Sequence, residues 1–126
     1  MKYNERRKPG ITMTIGIIGG GASGMAAALA AAENPEVSVV IMERQSRVGR
    51  KLQATGNGRC NLTNTNAAVS CYHGNAPEFA KTALETFDVF NTLQWFETMG
   101  LYTVAEESGR IYPYSDQANS VVDVLR

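Results

Sequence analysis

No stretch of this 126-residue chain approaches the roughly 18 consecutive apolar residues that a membrane span requires. Membrane insertion is therefore not expected. Cysteine is scarce: Cys60 and Cys71 stand alone, without CxxC or metal-ligand spacing. Neither a disulfide framework nor a metal site is expected, and a reducing compartment suits the chain better. A single histidine, His73, lies in a polar loop without a recognisable base partner, which reads as a surface residue rather than a catalyst. Net charge is also missing, because 12 Lys and Arg balance 12 Asp and Glu. Nothing global in the electrostatics calls for nucleic acid or an anionic membrane surface as partner. Internal repeats and low-complexity tracts are absent.

What is present fits one globular domain, with 44% hydrophobic residues. The start, MKYNERRKPG, is charged, and the apolar run after it is too short and breaks into glycines. That pattern argues against a secretory signal and for a cytoplasmic protein. Met13 directly precedes the first apolar run, so residues 1–12 read as a flexible extension outside the fold.

TIGII (residues 14–18) is β-branched and reads as a buried strand with no polar face. A glycine turn follows, then the alanine-rich MAAALAAAEN, a strong helix former that stops near Asn34 and Pro35. VSVVIM (residues 37–42) is a second strand of the same kind. Strand, turn, helix and strand make one βαβ unit, so the fold class is α/β, a Rossmann-like dinucleotide-binding domain. A long connection runs from Arg44 to about Asn75, rich in Gly, Asn, Thr and Arg. Connections of that length are usually functional when they lack structure. From residue 77 to 99, Phe79, Ala83, Phe87, Phe90, Leu93 and Phe96 recur at helical spacing, which predicts one amphipathic helix packing its stripe into the core. LYTVAEESGRIYPY predicts a hairpin turning at Glu107, Ser108 and Gly109, with Tyr102, Val104, Ile111 and Tyr112 in its strands. A last helix, capped by Ser115 or Asp116, follows. Two parallel strands cannot bury both faces of a doubly wound sheet, so residues 13–126 are expected to be the N-terminal part of a domain incomplete at its C-terminus.

The chemistry lies in the turn and the loop. Gly19, Gly21 and Gly24 satisfy GxGxxG across residues that include Ala22 and Ser23. The first glycine permits a tight turn, the second lets a pyrophosphate approach the backbone, and the third lets helix and strand pack closely. The helix N-terminus then faces the negative charge. Glu43 ends the second strand 19 positions after Gly24, where a carboxylate can accept hydrogen bonds from the adenosine ribose and repel a 2′-phosphate. Arg44, Arg47, Arg50, Lys51 and Arg59 fall within 16 residues that contain no acid. GNGRCN (residues 56–61) sits in this basic patch and reads as a backbone cradle, against the alternative of a mobile surface loop. FAD suits so long a contact better than NAD. Cys60 could serve as a redox thiol, but without a CxxC partner a structural role is favoured.

Taken together, GIIGGGASGMAAA, MER, GRKLQATGNGRCNLTN and GRIYPYSDQANSVVDVL resemble the BaiN/RdsA-like (YhiN-type) family of NAD(P)/FAD-dependent oxidoreductases from Met13 to the last residue. The resemblance implies a flavoprotein whose chain is about three times longer and carries an inserted domain. It implies that Gly19, Gly21, Ala22, Ser23 and Gly24 hold the pyrophosphate and Glu43 the ribose. Arg44, Lys51, Thr55, Gly56, Arg59, Cys60, Asn61 and Leu62 would continue along the cofactor. Arg110, Tyr112 and Ser115 would face a substrate or brace the hairpin. The expected function is an FAD-dependent oxidoreductase of a small organic substrate, with NAD(P)H as candidate electron donor. The competing expectation is a non-redox NAD- or ADP-binding module.

Overall fold

A computed structural model describes residues 10–126. The extension expected over residues 1–12 lies outside the described residues as far as residue 9. Thr12 already donates its N–H to the Glu36 carbonyl at 2.9 Å, so backbone pairing begins one residue before Met13. The described residues divide into two compact units, residues 10–50 with Leu125–Arg126, and Lys51–Val124.

The first unit contains the βαβ element. Strand β1 (Met13–Ile18) and strand β2 (Val37–Met42) pair in parallel, in register from Met13 opposite Val37 to Ile18 opposite Met42. Helix α1 (Ala22–Ala32) connects them. Ala-rich sequence forms this helix because alanine loses no side-chain entropy on entering it. Asn34 and Pro35 end it, the Asn34 side chain accepting the Glu36 N–H and its carbonyl the Val37 N–H. Met25 and Ala28 are buried. Ile17 lies 3.5 Å from where a Gly24 side chain would begin, which places the Ile17 face of the sheet against α1. On that face Ile15, Ile17, Val37, Val39 and Ile41 are half-buried. The expectation of two fully buried strands is corrected here. Ile18, Val40 and Met42, at alternate positions, are exposed among the described residues, because one helix covers one face of a two-stranded sheet.

The second unit starts in what sequence reading treated as a structureless connection, and this too is corrected. Helix α2 (Arg50–Ala54) passes into a 3-10 turn (Thr55–Gly58), and strand β3 (Thr63–Asn64) joins an antiparallel sheet. That sheet has the order β3-β5-β4, with β4 at Thr103–Ala105 and β5 at Arg110–Pro113. The predicted hairpin is present. Its turn closes by Gly109 N–H donating to Glu106 at 2.8 Å, and Tyr102 stands just outside β4.

The single helix expected over 77–99 is instead three segments: a 3-10 turn (Pro77–Ala80), α3 (Lys81–Thr86) and α4 (Val89–Thr98). Asp88 makes the break. Its carboxylate accepts the Asn91 N–H at 2.8 Å and so starts a new helix, as an N-cap residue does. A 3.6-residue period cannot carry one stripe across that break. Phe79 is 92% and Phe90 69% exposed, whereas Phe96 is buried, so most of the stripe is not core among the described residues. Beside Phe96, the buried residues of this unit include Cys60, Leu101, Ile111, Tyr112, Ala118, Val121 and Val122. The last helix, α5 (Ala118–Leu125), begins after the two expected caps. Asp116 turns its carboxylate to Arg59, and Ser115 shares a 2.7 Å hydrogen bond with the Ser120 hydroxyl. No described helix is long and apolar enough to cross a membrane.

Candidate functional site: a glycine turn and a left-handed loop

Each glycine of the first unit's turn has a distinct geometric reason. Gly19 adopts φ +98°, a conformation L side chains rarely take, and its N–H donates to Met42 at 2.8 Å, locking the turn to the end of β2. Gly21 precedes the first residue of α1 in extended conformation, without a side-chain cap, and a Cβ there would meet nothing within 4 Å. That side of the backbone is open to approach. At Gly24 the opposite holds, since a Cβ would stand 1.9 Å from the Gly19 carbonyl oxygen. Ala22 and Ser23 are exposed in the first turn of α1, where helix N–H groups lack intrahelical partners. The tight turn anticipated at Gly19 and the close helix–strand packing anticipated at Gly24 are both present, and the backbone at Gly21 is open on its Cβ side.

Glu43 joins this turn. One carboxylate oxygen accepts the Gly20 N–H at 2.7 Å and the other the Gln45 N–H at 2.7 Å. The Gln45 bond, then the Gly20 bond, hold its carboxyl below the ordinary value of 4.5. A depressed folded value means that the stabilisation is fully present above 4.5 and is lost as pH falls through the lowered one. Four lone-pair sites on a carboxylate leave acceptor capacity for a ribose hydroxyl. Sequence reasoning missed Gly20, which also accepts the Gly49 N–H at 2.7 Å, and Val48, whose Cγ1 lies 2.4 Å from where a Gly20 Cβ would be. The Gly19-Gly20 doublet was the available signal. Arg44 is exposed beside Glu43, and Arg50 donates to the Gln45 side chain at 2.8 Å.

In the second unit, residues 55–61 form a tight loop of left-handed backbone. Gly56 (φ +54°), Asn57 (φ +60°), Gly58 (φ +87°) and Cys60 (φ +62°) all have positive φ. Thr55 anchors the loop at both ends, its hydroxyl donating to Leu52 at 2.7 Å and its carbonyl accepting the Cys60 N–H at 3.0 Å. Asn61, with its amide turned to satisfy hydrogen bonding, donates to the carbonyls of Thr63 at 2.9 Å and Ile111 at 3.2 Å. Leu62 N–H donates to Ile111 at 2.8 Å, fastening the loop to β5. Lys51 is exposed. Beyond Asn61 the loop borders an open cleft of about 560 Å³.

Arg59 is the loop's most constrained side chain. Its Nη2 donates to Glu106 at 2.8 Å, its Nε to Asp116, and its guanidinium carbon lies 3.8 Å from the centre of the Tyr112 ring. Asp116, then Glu106, raise the pKa of the guanidinium. Cys60 is 2% exposed, and burial pushes its thiol up, partly opposed by a hydrogen bond with Thr55. That is opposite to the lowered value a reactive thiolate needs, so Cys60 is a packing residue. Tyr112 is buried under Arg59 and so braces the hairpin rather than lining an open surface. His73 is exposed.

Residues 13–126 match the HI0933-like protein Rossmann domain. The chain belongs to that family. Among curated proteins, this Rossmann-domain chain is 53% identical over 112 residues to a 3-dehydro-bile acid delta(4,6)-reductase of Clostridium scindens, covering 88% of the chain and 27% of the relative. It is 30% identical over 109 residues to a ribosomal RNA dihydrouridine synthase of Escherichia coli, covering 86% and 27%. A synthase of the same name from Haemophilus influenzae is 28% identical over 110 residues, covering 87% and 27%. The HI0933-like chain thus spans about a quarter of the length of the curated relatives it matches.

Proposed function

We propose that this HI0933-like Rossmann domain is the dinucleotide-binding part of an FAD-dependent oxidoreductase. The observation that carries the proposal is the turn of the first unit: an open backbone at Gly21, a close contact at Gly24 and a carboxylate at Glu43. An unhindered helix N-terminus suits a diphosphate, and an acid at the end of β2 suits the adenosine ribose while disfavouring a 2′-phosphate. Gly19, Gly21, Ala22, Ser23 and Gly24 would take the diphosphate and Glu43 the ribose. Arg44, and in the second unit Lys51, Thr55, Gly56, Cys60, Asn61 and Leu62, are proposed as further contacts, supported by family membership, with Cys60 taking part through its backbone and not through its buried thiol. When bound, FAD would supply a ring that accepts hydride, and the chain's residues would orient and hold it.

The substrate is proposed to be a small organic molecule reduced with NAD(P)H as donor. The 53% identity to a protein named as a bile acid reductase supports this over an RNA substrate, which the relatives at 30% and 28% suggest by their names. The test is mass spectrometry of the nucleotide released by heat from the purified full-length protein. FAD with visible flavin absorbance is expected; a colourless protein releasing NAD or ADP would instead identify a non-redox module. Glu43→Arg is expected to weaken FAD binding about 10- to 100-fold, the range for losing a hydrogen bond to a charged group. Undiminished affinity in a titration of the stripped variant would remove the ribose assignment.

A further inference from the structure

We propose that Arg59 is a positioning residue, which holds the left-handed loop 55–61 in shape from behind by gripping Glu106, Asp116 and Tyr112, and does not present its charge to a ligand. The inference rests on the reading above in one respect, that this loop meets the cofactor. Sequence alone places Arg59 in a basic patch aimed at an anion. The geometry gives it different work.

Two of its nitrogens are engaged by carboxylates from separate segments, Glu106 in the β4–β5 turn and Asp116 before α5. Its guanidinium carbon lies over the Tyr112 ring of β5. A planar donor fork suits such simultaneous gripping, and a lysine cannot reproduce it. The charge arithmetic points the same way. One guanidinium against two carboxylates leaves a net charge of −1 in the cluster, so the patch around Arg59 is not cationic.

The loop needs such a hold. Asn57, Cys60 and Asp116 are non-glycine residues at φ of +60°, +62° and +58°. Such residues cost on the order of 1–3 kcal/mol each and persist only where their surroundings over-determine them. Two of the three lie in the loop that carries Arg59, and the third is its ion-pair partner. The loop also has no room to relax inward, since a Cβ on Gly56 would stand 2.7 Å from the Asn61 nitrogen and 3.1 Å from the Tyr112 ring. The curve is fixed from within as well, because the Arg59 N–H donates to Gly56 at 3.2 Å and the Cys60 N–H to Thr55 at 3.0 Å.

The two roles predict opposite signs when a carboxylate is neutralised in the full-length protein. As a positioning residue, Arg59 loses its hold in Glu106→Gln and Asp116→Asn, so FAD affinity falls about tenfold in each, as in Arg59→Met. The double variant Arg59→Met with Glu106→Gln is then no weaker than Arg59→Met alone. Arg59→Lys restores little. Hydrogen exchange at the Cys60 amide accelerates about tenfold in all of them, with or without FAD. As a cation facing the ligand, Arg59 would be freed by Glu106→Gln, and affinity would rise or hold steady while Arg59→Met weakens it; that pattern overturns the proposal. Unchanged exchange at Cys60 across the series also overturns it. Faster exchange with FAD affinity intact supports the positioning role and removes the loop from the cofactor contacts. If the unmodified protein binds no FAD, the function proposed above fails, and the exchange series still decides the role of Arg59. Should Arg59→Met not fold, the near-isosteric Glu106→Gln and Asp116→Asn carry the comparison.

Discussion

Replacing Gly24 by alanine is expected to destabilise the first unit by about 3 kcal/mol or more, at the upper end of what overpacking costs. The added methyl would stand 1.9 Å from the Gly19 oxygen and 3.1 Å from its carbonyl carbon, and both are backbone atoms. No rotamer change relieves that contact. Helix α1 must retreat from the turn, which separates the helix N-terminus from the residues that frame it. Denaturant unfolding should therefore show a lowered midpoint with little change in slope, and co-purified FAD should be lost. Gly21→Ala provides the contrast. Its methyl meets nothing within 4 Å and its φ is −81°, so stability should stay close to that of the unmodified protein while nucleotide affinity falls. Equal destabilisation by both variants would contradict the separate roles given to the two glycines.

The second large effect is expected at Gly56. Its backbone lies at φ 54°, ψ 33°, a left-handed conformation that costs a residue with a side chain about 1–2 kcal/mol. A methyl there would also crowd the Asn61 nitrogen at 2.7 Å. Adding an overpacking term of about 1–3 kcal/mol, Gly56→Ala should destabilise the second unit by roughly 3 kcal/mol. Gly58→Ala isolates the conformational part. Gly58 has φ +87°, and its nearest outside atom is the Gln53 carbonyl oxygen at 4.0 Å, so only the left-handed cost applies. Unfolding midpoints should order the proteins as unmodified, then Gly58→Ala, then Gly56→Ala, and a reversal of the two variants would show that the loop yields at Asn61.

Features encoded over a few neighbouring residues were legible in the sequence. The βαβ element rests on a β-branched run, a glycine turn and an alanine-rich helix in immediate succession, and each signal is local. The hairpin at Ser108 and Gly109 and the position of Glu43 were readable for the same reason. The phenylalanine stripe misled because periodicity counts residues through Phe87 and Asp88 as though the axis continued, while the Asp88 carboxylate caps a fresh helix there. The surroundings of Arg59 were hidden more deeply. Its partners lie 47 and 57 positions away, and nothing in either segment marks those acids among the others. Arg59 was correctly counted among the basic residues along the chain, yet its guanidinium is paired with two carboxylates. Cys60 was read more nearly right, since the lack of a CxxC partner favoured a structural role and its side chain is buried.

The contrast between Cys60 and Cys71 extends to how the protein meets electrophiles. Cys71 is exposed, with its sulfur near the Asn66 carbonyl at 3.4 Å, whereas Cys60 is sealed and kept protonated. Under a maleimide dye, thiol modification should therefore stop at one equivalent per 126 residues of this sequence, leaving the loop chemically untouched. A reporter group could be attached at Cys71 without first engineering away a competing thiol in this part of the chain.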